Sequence, residues 1–316
     1  MPTLKEIKGR IGSVRSTLKI TSAMKLVSSA KLRKAQNAIA AMRPYERRLE
    51  AMLRLARAST PDHVGGDVGP VMPGPDRSVM PGPDRASGIA DQVGNDGGGV
   101  IIAIASNSSL CGGFNSNVIN KVRAVRKSGD IVYSVGRKMA EAMAKDGFRS
   151  PADYNALAEH PAYADAAAIV EKLSEDFYEG RISGVTLVYT HFVSTSRQVP
   201  VVEQLLPIKI PGQAGNDATP AGTDIMPDLI GHPDVILEPS ARELMEALLP
   251  KTLKLKLFAA ILDSAAAEHA ARTIAMQTAT DNAENLLAEL TLQYNKGRQQ
   301  KITSEILDLA GGQAAE

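Results

Sequence analysis

The sequence predicts an α/β protein with dominant long helices: an antiparallel coiled coil of the N- and C-terminal helices, with an α/β domain inserted between them. Three observations carry this. Near the N-terminus apolar residues recur at steps of three and four: Leu4, Ile7, Ile11, Val14 and Leu18, the seam of a helix that pairs with another. The last quarter of the chain carries a leucine stripe followed by an alanine-dense run, again at helical spacing. Between the two ends, short β-branched runs alternate with helical patterns, the signature of a layered α/β domain.

Residues 1–58 form the first unit. The seam drifts after Leu18 through Met24, Val27, Leu32, Ile39 and Met42. Gly9 and Gly12 weaken the opening turns, and Pro44 is the one strong interruption. A helix of this length spans roughly 80 Å, more than a domain core requires, so it needs a partner along most of its course. Residues 59–99 are a Pro/Gly-rich excursion. Val71–Arg77 (VMPGPDR) is repeated identically at Val79–Arg85, which marks an insertion without a packed core.

Residues 100–208 form the central domain. Strands are expected at Val100–Ala105, Asp130–Val135, Val185–Val193 and Val199–Ile208, and helices at Asn115–Lys127, Arg137–Lys145 and Ala162–Tyr178. This alternation suggests a small, mostly parallel, Rossmann-like layer. Residues 209–234 read as a loop insertion. Residues 235–316 form the second long helix. Ser240 is its expected N-cap with Glu243 closing a capping box, and Leu244, Leu248, Leu253, Leu257 and Ile261 give the stripe, with Pro250 interrupting. Ala259–Ala283 holds ten alanines in 25 residues, small side chains that let two helices approach closely. Gly311-Gly312 is the expected stop.

Charge is segregated. Residues 1–57 contain 14 Lys/Arg against three acids, a net +11; the whole chain is +1, so the remainder carries −10. The basic end implies an anionic partner. Residues 1–44 contain no aromatic side chain, which disfavours base stacking and bulky membrane anchoring. An acidic protein partner fits better, and a basic nucleic-acid-binding coiled-coil scaffold stays open as the alternative.

Catalytic chemistry finds little to stand on. The first strand is followed by Asn107-Ser108-Ser109-Leu110-Cys111-Gly112-Gly113-Phe114-Asn115. Strand, turn and helix N-terminus could hold a phosphate, but G-x-G-x-x-G and the P-loop pattern are absent; a tight strand-to-helix turn is the favoured reading. Cys111, the one cysteine, reads as a small buried hydrophobe and excludes an internal disulfide. The five histidines are scattered without an i, i+4 pair, so no metal site is expected. No cofactor and no catalytic residue is expected, and no run approaches the length of a membrane span.

Ile20–Gln36 (ITSAMKLVSSAKLRKAQ), Leu110–Asn115 (LCGGFN), Ser264–Leu290 and Tyr294–Leu309 (YNKGRQQKITSEILDL) together resemble the gamma subunit of rotary F-type ATP synthases. The resemblance covers about residues 1–58, 98–208 and 235–312. It implies a non-catalytic subunit: one central shaft per complex, coupling rotation of the membrane c-ring to the conformational cycle of the β subunits of an α3β3 hexamer, with the epsilon subunit as a further partner. It implies no nucleic acid, and membrane association only through the rotor ring. Met24 and Lys25, with Arg33 and Lys34, resemble positions facing an acidic lever loop of β. Arg272, Gln277 and Thr280 resemble a segment packed near Met24 that supports coupling. Arg298, Gln299, Thr303 and Glu305 resemble a polar set held by a β catch loop. Asn107-Ser108-Ser109 departs from the family's charged turn, and a single cysteine excludes the chloroplast form's regulatory pair. Without a transit peptide, the expected location is the cytoplasmic face of a bacterial inner membrane.

Overall fold

A computed structural model describes residues 3–58, 98–207 and 240–313. Apart from Gly98 and Gly99, both insertions lie outside the described residues, as does Ile208. Helix α1 spans Leu4–Ala58 and helix α6 spans Ala241–Gln313. Between them come β1 (Val100–Ile104), α2 (Phe114–Val125), β2 (Ile131–Val135), α3 (Arg137–Lys145), α4 (Asn155–Glu159), α5 (Tyr163–Tyr178), β3 (Val185–Phe192) and β4 (Gln198–Leu206).

Both long helices begin with caps that the sequence encodes. Thr3 and Glu6 close a capping box: the Thr3 amide donates to Glu6 Oε2 at 2.9 Å, and the Glu6 amide donates to Thr3 Oγ1 at 3.3 Å. At the head of α6 the Glu243 amide donates to Ser240 Oγ at 3.2 Å. Pro44 and Pro250 lie inside their helices and end neither. Gly311-Gly312 does not end α6, which runs on to Gln313. Helical glycine costs about 1 kcal/mol against alanine, which slows a helix without forcing it to stop.

The termini do pair as antiparallel helices. Leu4 lies against Gly297, Thr21 meets Thr280, Leu32 and Ile39 pack with Leu262, Ala266 and Ala270, and Leu49 and Leu53 pack with Leu248, Leu249 and Leu255. Residue numbers rise on one helix as they fall on the other. The seam on α1 differs from the predicted drift. Its buried positions Ile7, Thr21, Ser28, Leu32, Ile39, Leu49, Leu53 and Ala56 fall on one heptad frame. Val27 points outward. The apolar pattern is lost in the middle because polar Thr21 and Ser28 occupy seam positions, Thr21 opposite Thr280.

The sheet has the order β2-β1-β3-β4; β1 is parallel to β2 and to β3, and β4 is an antiparallel edge. β1 is central, so both its faces are buried. Val100, Ile102 and Ile104 point to a core shared with α4, α5 and α6; Ile101 and Ala103 point to a second core under α2 and α3. The short helix α4 was not expected from the sequence; it has only five residues, too few for a periodic pattern. Leu253, Leu257, Ala260 and Ile261 of α6 belong to the sheet's own core, while Leu262, Ala266 and Ala270 belong to the seam with α1. One stretch of α6 thus serves two cores, and Leu257 is fully buried. Leu257→Ala is expected to cost about 2–5 kcal/mol, read as a lowered urea midpoint of the purified chain with an unchanged m-value.

Candidate functional site

Beyond the α/β domain, the coiled coil is stripped to its seam. On α6 the regularly buried positions become Met276, Thr280, Ala283 and Leu290, and the rest of the surface is open. Thr21 and Thr280 face each other across the seam with their hydroxyls 3.0 Å apart, and each is also within reach of a carbonyl of its own helix, Leu18 at 3.1 Å and Met276 at 2.8 Å. This buried polar pair fixes the axial register more than it adds stability. Met24 and Lys25 are half-buried beside it; Arg33 and Lys34 are exposed. Gln277 donates to Asp281 Oδ1 at 2.6 Å along its own helix. Large apolar side chains point outward here: Ile20 is 60% exposed, Leu26 71%, Val27 57% and Leu292 71%.

Because Leu4 lies against Gly297, residues 298–313 of α6 run on past the start of α1, an overhang of about 24 Å. Arg298, Gln299, Thr303 and Glu305 all sit on this single helix, and every residue from 298 to 307 is exposed. Their interactions are local. Thr303 Oγ1 donates to the Gln299 carbonyl at 2.9 Å, and Lys301 and Glu305 form an i, i+4 pair at 3.6 Å, which in solvent contributes little.

Arg272 reaches toward the turn after β1. Its guanidinium donates to Glu268 Oε1 at 2.5 Å, to Ser108 Oγ at 2.8 Å and toward the Ser109 carbonyl at 3.4 Å. Both charged side chains are only 10% exposed. Burial pushes the Glu268 carboxyl upward, and Arg272 opposes that shift. The Asn107-Ser108-Ser109 turn is therefore a docking point for α6. Its other side is tied to the domain: the Arg137 amide donates to Asn107 Oδ1 at 2.9 Å, and Asn107 Nδ2 donates to the Asn155 carbonyl at 2.8 Å. The turn ends on Leu110 at φ 67° and Gly112 at φ 57°. Left-handed backbone at a leucine costs about 1–3 kcal/mol, and it swings Cys111 and Phe114 inward onto Ala267. Ala275 of α6 lies over Gly112, and the adjoining cleft holds about 240 Å³. The turn is thus the tight strand-to-helix turn expected, with α6 packed beside it.

A second tie joins β3 to α6. His191 Nδ1 contacts Asp263 Oδ2, and the Phe192 amide donates to Asp263 Oδ1 at 3.2 Å. Neither this tie nor the partners of Arg272 was anticipated. The residues concerned are separated by 72 and 164 positions, and no local pattern connects them. Among the described residues no group of His, Cys, Asp and Glu could hold a metal ion, and no helix is long and apolar enough to cross a membrane.

Comparison with known proteins places this architecture. A family model described as ATP synthase matches residues 3–315. The ATP synthase gamma chain of Phocaeicola vulgatus is 43% identical over 327 aligned positions, covering all of both chains. That of Heliobacterium modesticaldum is 38% identical over 319, covering all of this chain and 99% of the relative. The chain belongs to the ATP synthase gamma chain family. Among solved structures, a chain of the Euglena gracilis mitochondrial ATP synthase (OSCP/F1/c-ring, rotational state 3) matches with TM-score 0.59 and 16% identity over 99% of this chain and 94% of that one. A chain of the Euglena gracilis rotor in rotational state 1 matches with TM-score 0.58 and 17% identity over 95% and 98%. At these identities the likeness is one of fold. Gamma chains are non-catalytic subunits of the synthase, in keeping with the family and its named relatives.

In this gamma-family chain the Arg272–Glu268 pair yields a mutational test. Arg272→Met leaves a buried, unpaired carboxylate and is expected to destabilise the chain by about 3–5 kcal/mol. The double change Arg272→Met with Glu268→Met should recover most of that loss, measured by urea denaturation of all three variants.

His269 gives a pH test. Burial first, then Arg272 and Lys31, push its imidazole down from 6.5 to about 4, and its Nδ1 has no hydrogen-bond partner among the described residues. The folded chain holds this group neutral while the unfolded chain binds a proton below 6.5. Its contribution is therefore present above 6.5 and lost as pH falls toward about 4. His269→Gln should flatten that part of the stability–pH curve relative to the parent chain.

Proposed function

We propose that the chain is the central rotor shaft of a proton-translocating F-type ATP synthase, coupling rotation of the membrane rotor ring to conformational cycling of the β subunits in an α3β3 hexamer. One observation carries this beyond family membership. Where the coiled coil leaves the α/β domain, Ile20, Leu26 and Val27 point outward while polar Thr21, Ser28 and Thr280 point inward. Exposed leucine, isoleucine and valine on a bare helix pair call for an enclosing sleeve, and a rotating axle needs one whose contacts are slippery and not specific. The +11 of residues 1–57 suits acidic loops on that sleeve.

On this reading Met24, Lys25, Arg33 and Lys34 meet an acidic lever loop of β. Gln277 and Thr280 set the opposing helix at the same level. Arg298, Gln299, Thr303 and Glu305, on the single-helix overhang, meet a β catch loop. Arg272 supports coupling from below by holding the shaft to the α/β domain. That domain faces epsilon and the c-ring, so the subunit touches the membrane only through the rotor. One copy per complex follows from a single bore. The bacterial relatives favour the cytoplasmic face of the inner membrane, where the subunit regulates both ATPase activity and proton flow.

The reading is tested by co-expression of the chain with the α and β subunits. A purified assembly of three α, three β and one copy of this chain, with ATPase activity that depends on it, is expected. A chain that ignores α and β and is retained on DNA with a steep salt dependence would overturn the reading in favour of a nucleic-acid scaffold. Within the complex, Arg298→Ala with Gln299→Ala should impair assembly or lower ATP-driven proton pumping per ATP hydrolysed; normal proton-driven synthesis in membranes carrying the double variant would remove these two residues from the coupling contact.

A further inference from the structure

We propose that His191 is a positioning residue for energy coupling: its contact with Asp263 pins the end of β3 to the shaft helix, so that the α/β domain and the coiled coil turn as one body. The proposal rests on the shaft reading.

β3 is the strand through which the sheet meets α6, and His191 and Phe192 stand at its end. Asp263 engages both: Oδ2 meets His191 Nδ1, and Oδ1 accepts the Phe192 amide at 3.2 Å. A carboxylate held by two donors from one strand end fixes both the height and the rotation of that strand against the helix. Asp263 is buried, and its side chain is 13% exposed; that of His191 is 42% exposed. The acceptor is thus locked and the donor stays open to solvent protons.

Arg272 ties the turn after β1 to the same helix, less than three turns farther on. Two polar ties on one helix, reaching two loops of one sheet, resist twisting where apolar contact alone would slide. The apolar packing around them, Phe192 against the cluster of Leu32, Ile39, Leu262, Ala266 and Ala270, has no directional bonds.

The two ties differ in one respect. Arg272 is cationic at every working pH, whereas His191 is not. The groups facing it from the packed elements are Asp263 on α6, Arg43 on α1 and Glu203 on β4. Glu203 is itself paired with Lys256 at 2.7 Å and lies near Glu46. The contact with Asp263 holds the imidazole above its ordinary 6.5. The charged pair is therefore complete below 6.5 and is lost as pH rises through the elevated value. Above it a neutral imidazole keeps at most an N–H···O bond to the carboxylate, without the ion pair.

The experiment uses the whole complex in inverted membrane vesicles and reads ATP-driven proton pumping per ATP hydrolysed from about pH 6 to about pH 9, upward from the ordinary imidazole value. The parent complex should lose coupling across the upper part of that range. His191→Ala should lower the ratio about threefold at the acidic end and erase the step. His191→Asn, which keeps a neutral amide donor near the Nδ1 position, should hold an intermediate ratio with no step. Asp263→Asn, which leaves the imidazole without its charged partner, should match His191→Asn.

Equal ratios and profiles in the parent and His191→Ala complexes would overturn the proposal, as would a step that survives in His191→Asn. Complexes that assemble with α3β3 yet show either result leave the shaft reading standing and remove the pin. Failure of the parent chain to assemble strikes the shaft reading itself.

Discussion

Everything in this molecule depends on the enclosure of one stretch of α6. From Leu253 to Arg272 that helix is buried on nearly every side, with α1 on one flank and the sheet and α5 on the other. A helix covered all round cannot be apolar on one stripe only, and this one meets the demand with leucine and alanine toward the sheet and α1, and with Lys254, Lys256, Asp263, Glu268 and Arg272 each paired with an opposite charge. Remove the enclosure and nothing orients the coiled coil relative to the domain. The two helices would still find each other, but the pair would have no fixed angle to the sheet.

The enclosure also explains the division of labour along the shaft. Where α6 is surrounded, its polar residues are specific: Arg272 reaches Ser108 and Ser109, and Asp263 reaches His191 and Phe192. Where the shaft leaves the domain, polar residues turn inward as the small Thr21–Thr280 pair and apolar ones turn outward. Past Gly297 only one helix is left, with open polar faces. The shaft thus thins from a three-way junction to a pair and then to a single helix. This gradient is what a torque-transmitting gamma chain requires.

The strand-to-helix turn after β1 shows how a nucleotide-type topology serves a non-catalytic subunit. Its position at the carboxyl end of a central parallel strand is where α/β proteins hold phosphates. Here Ala275 lies over Gly112, Cys111 is buried against Ala267, and the backbone takes a left-handed step at Leu110 to make that fit. The turn seats a helix of the same chain.

Local chemistry determined much of this from sequence alone. Three- and four-residue spacing, the Ser240 cap, the alanine run and the β-branched strands are short-range signals, and they placed both long helices and all four strands close to where they lie. The Thr3–Glu6 box was there to be read as well. The terminal runs and LCGGFN carried the family, and with it the function, because those segments are read as continuous strings. Tertiary structure alone decided which side of α1 faces inward, since its seam includes polar Thr21 and Ser28, Thr21 opposite Thr280. It decided that Arg272 serves the turn after β1 and that His191 meets Asp263. It also decided that α6 outruns α1, because an overhang depends on where two helices lie side by side. These are contacts between residues far apart in the chain, set by packing of whole elements, and no periodicity within either partner encodes them.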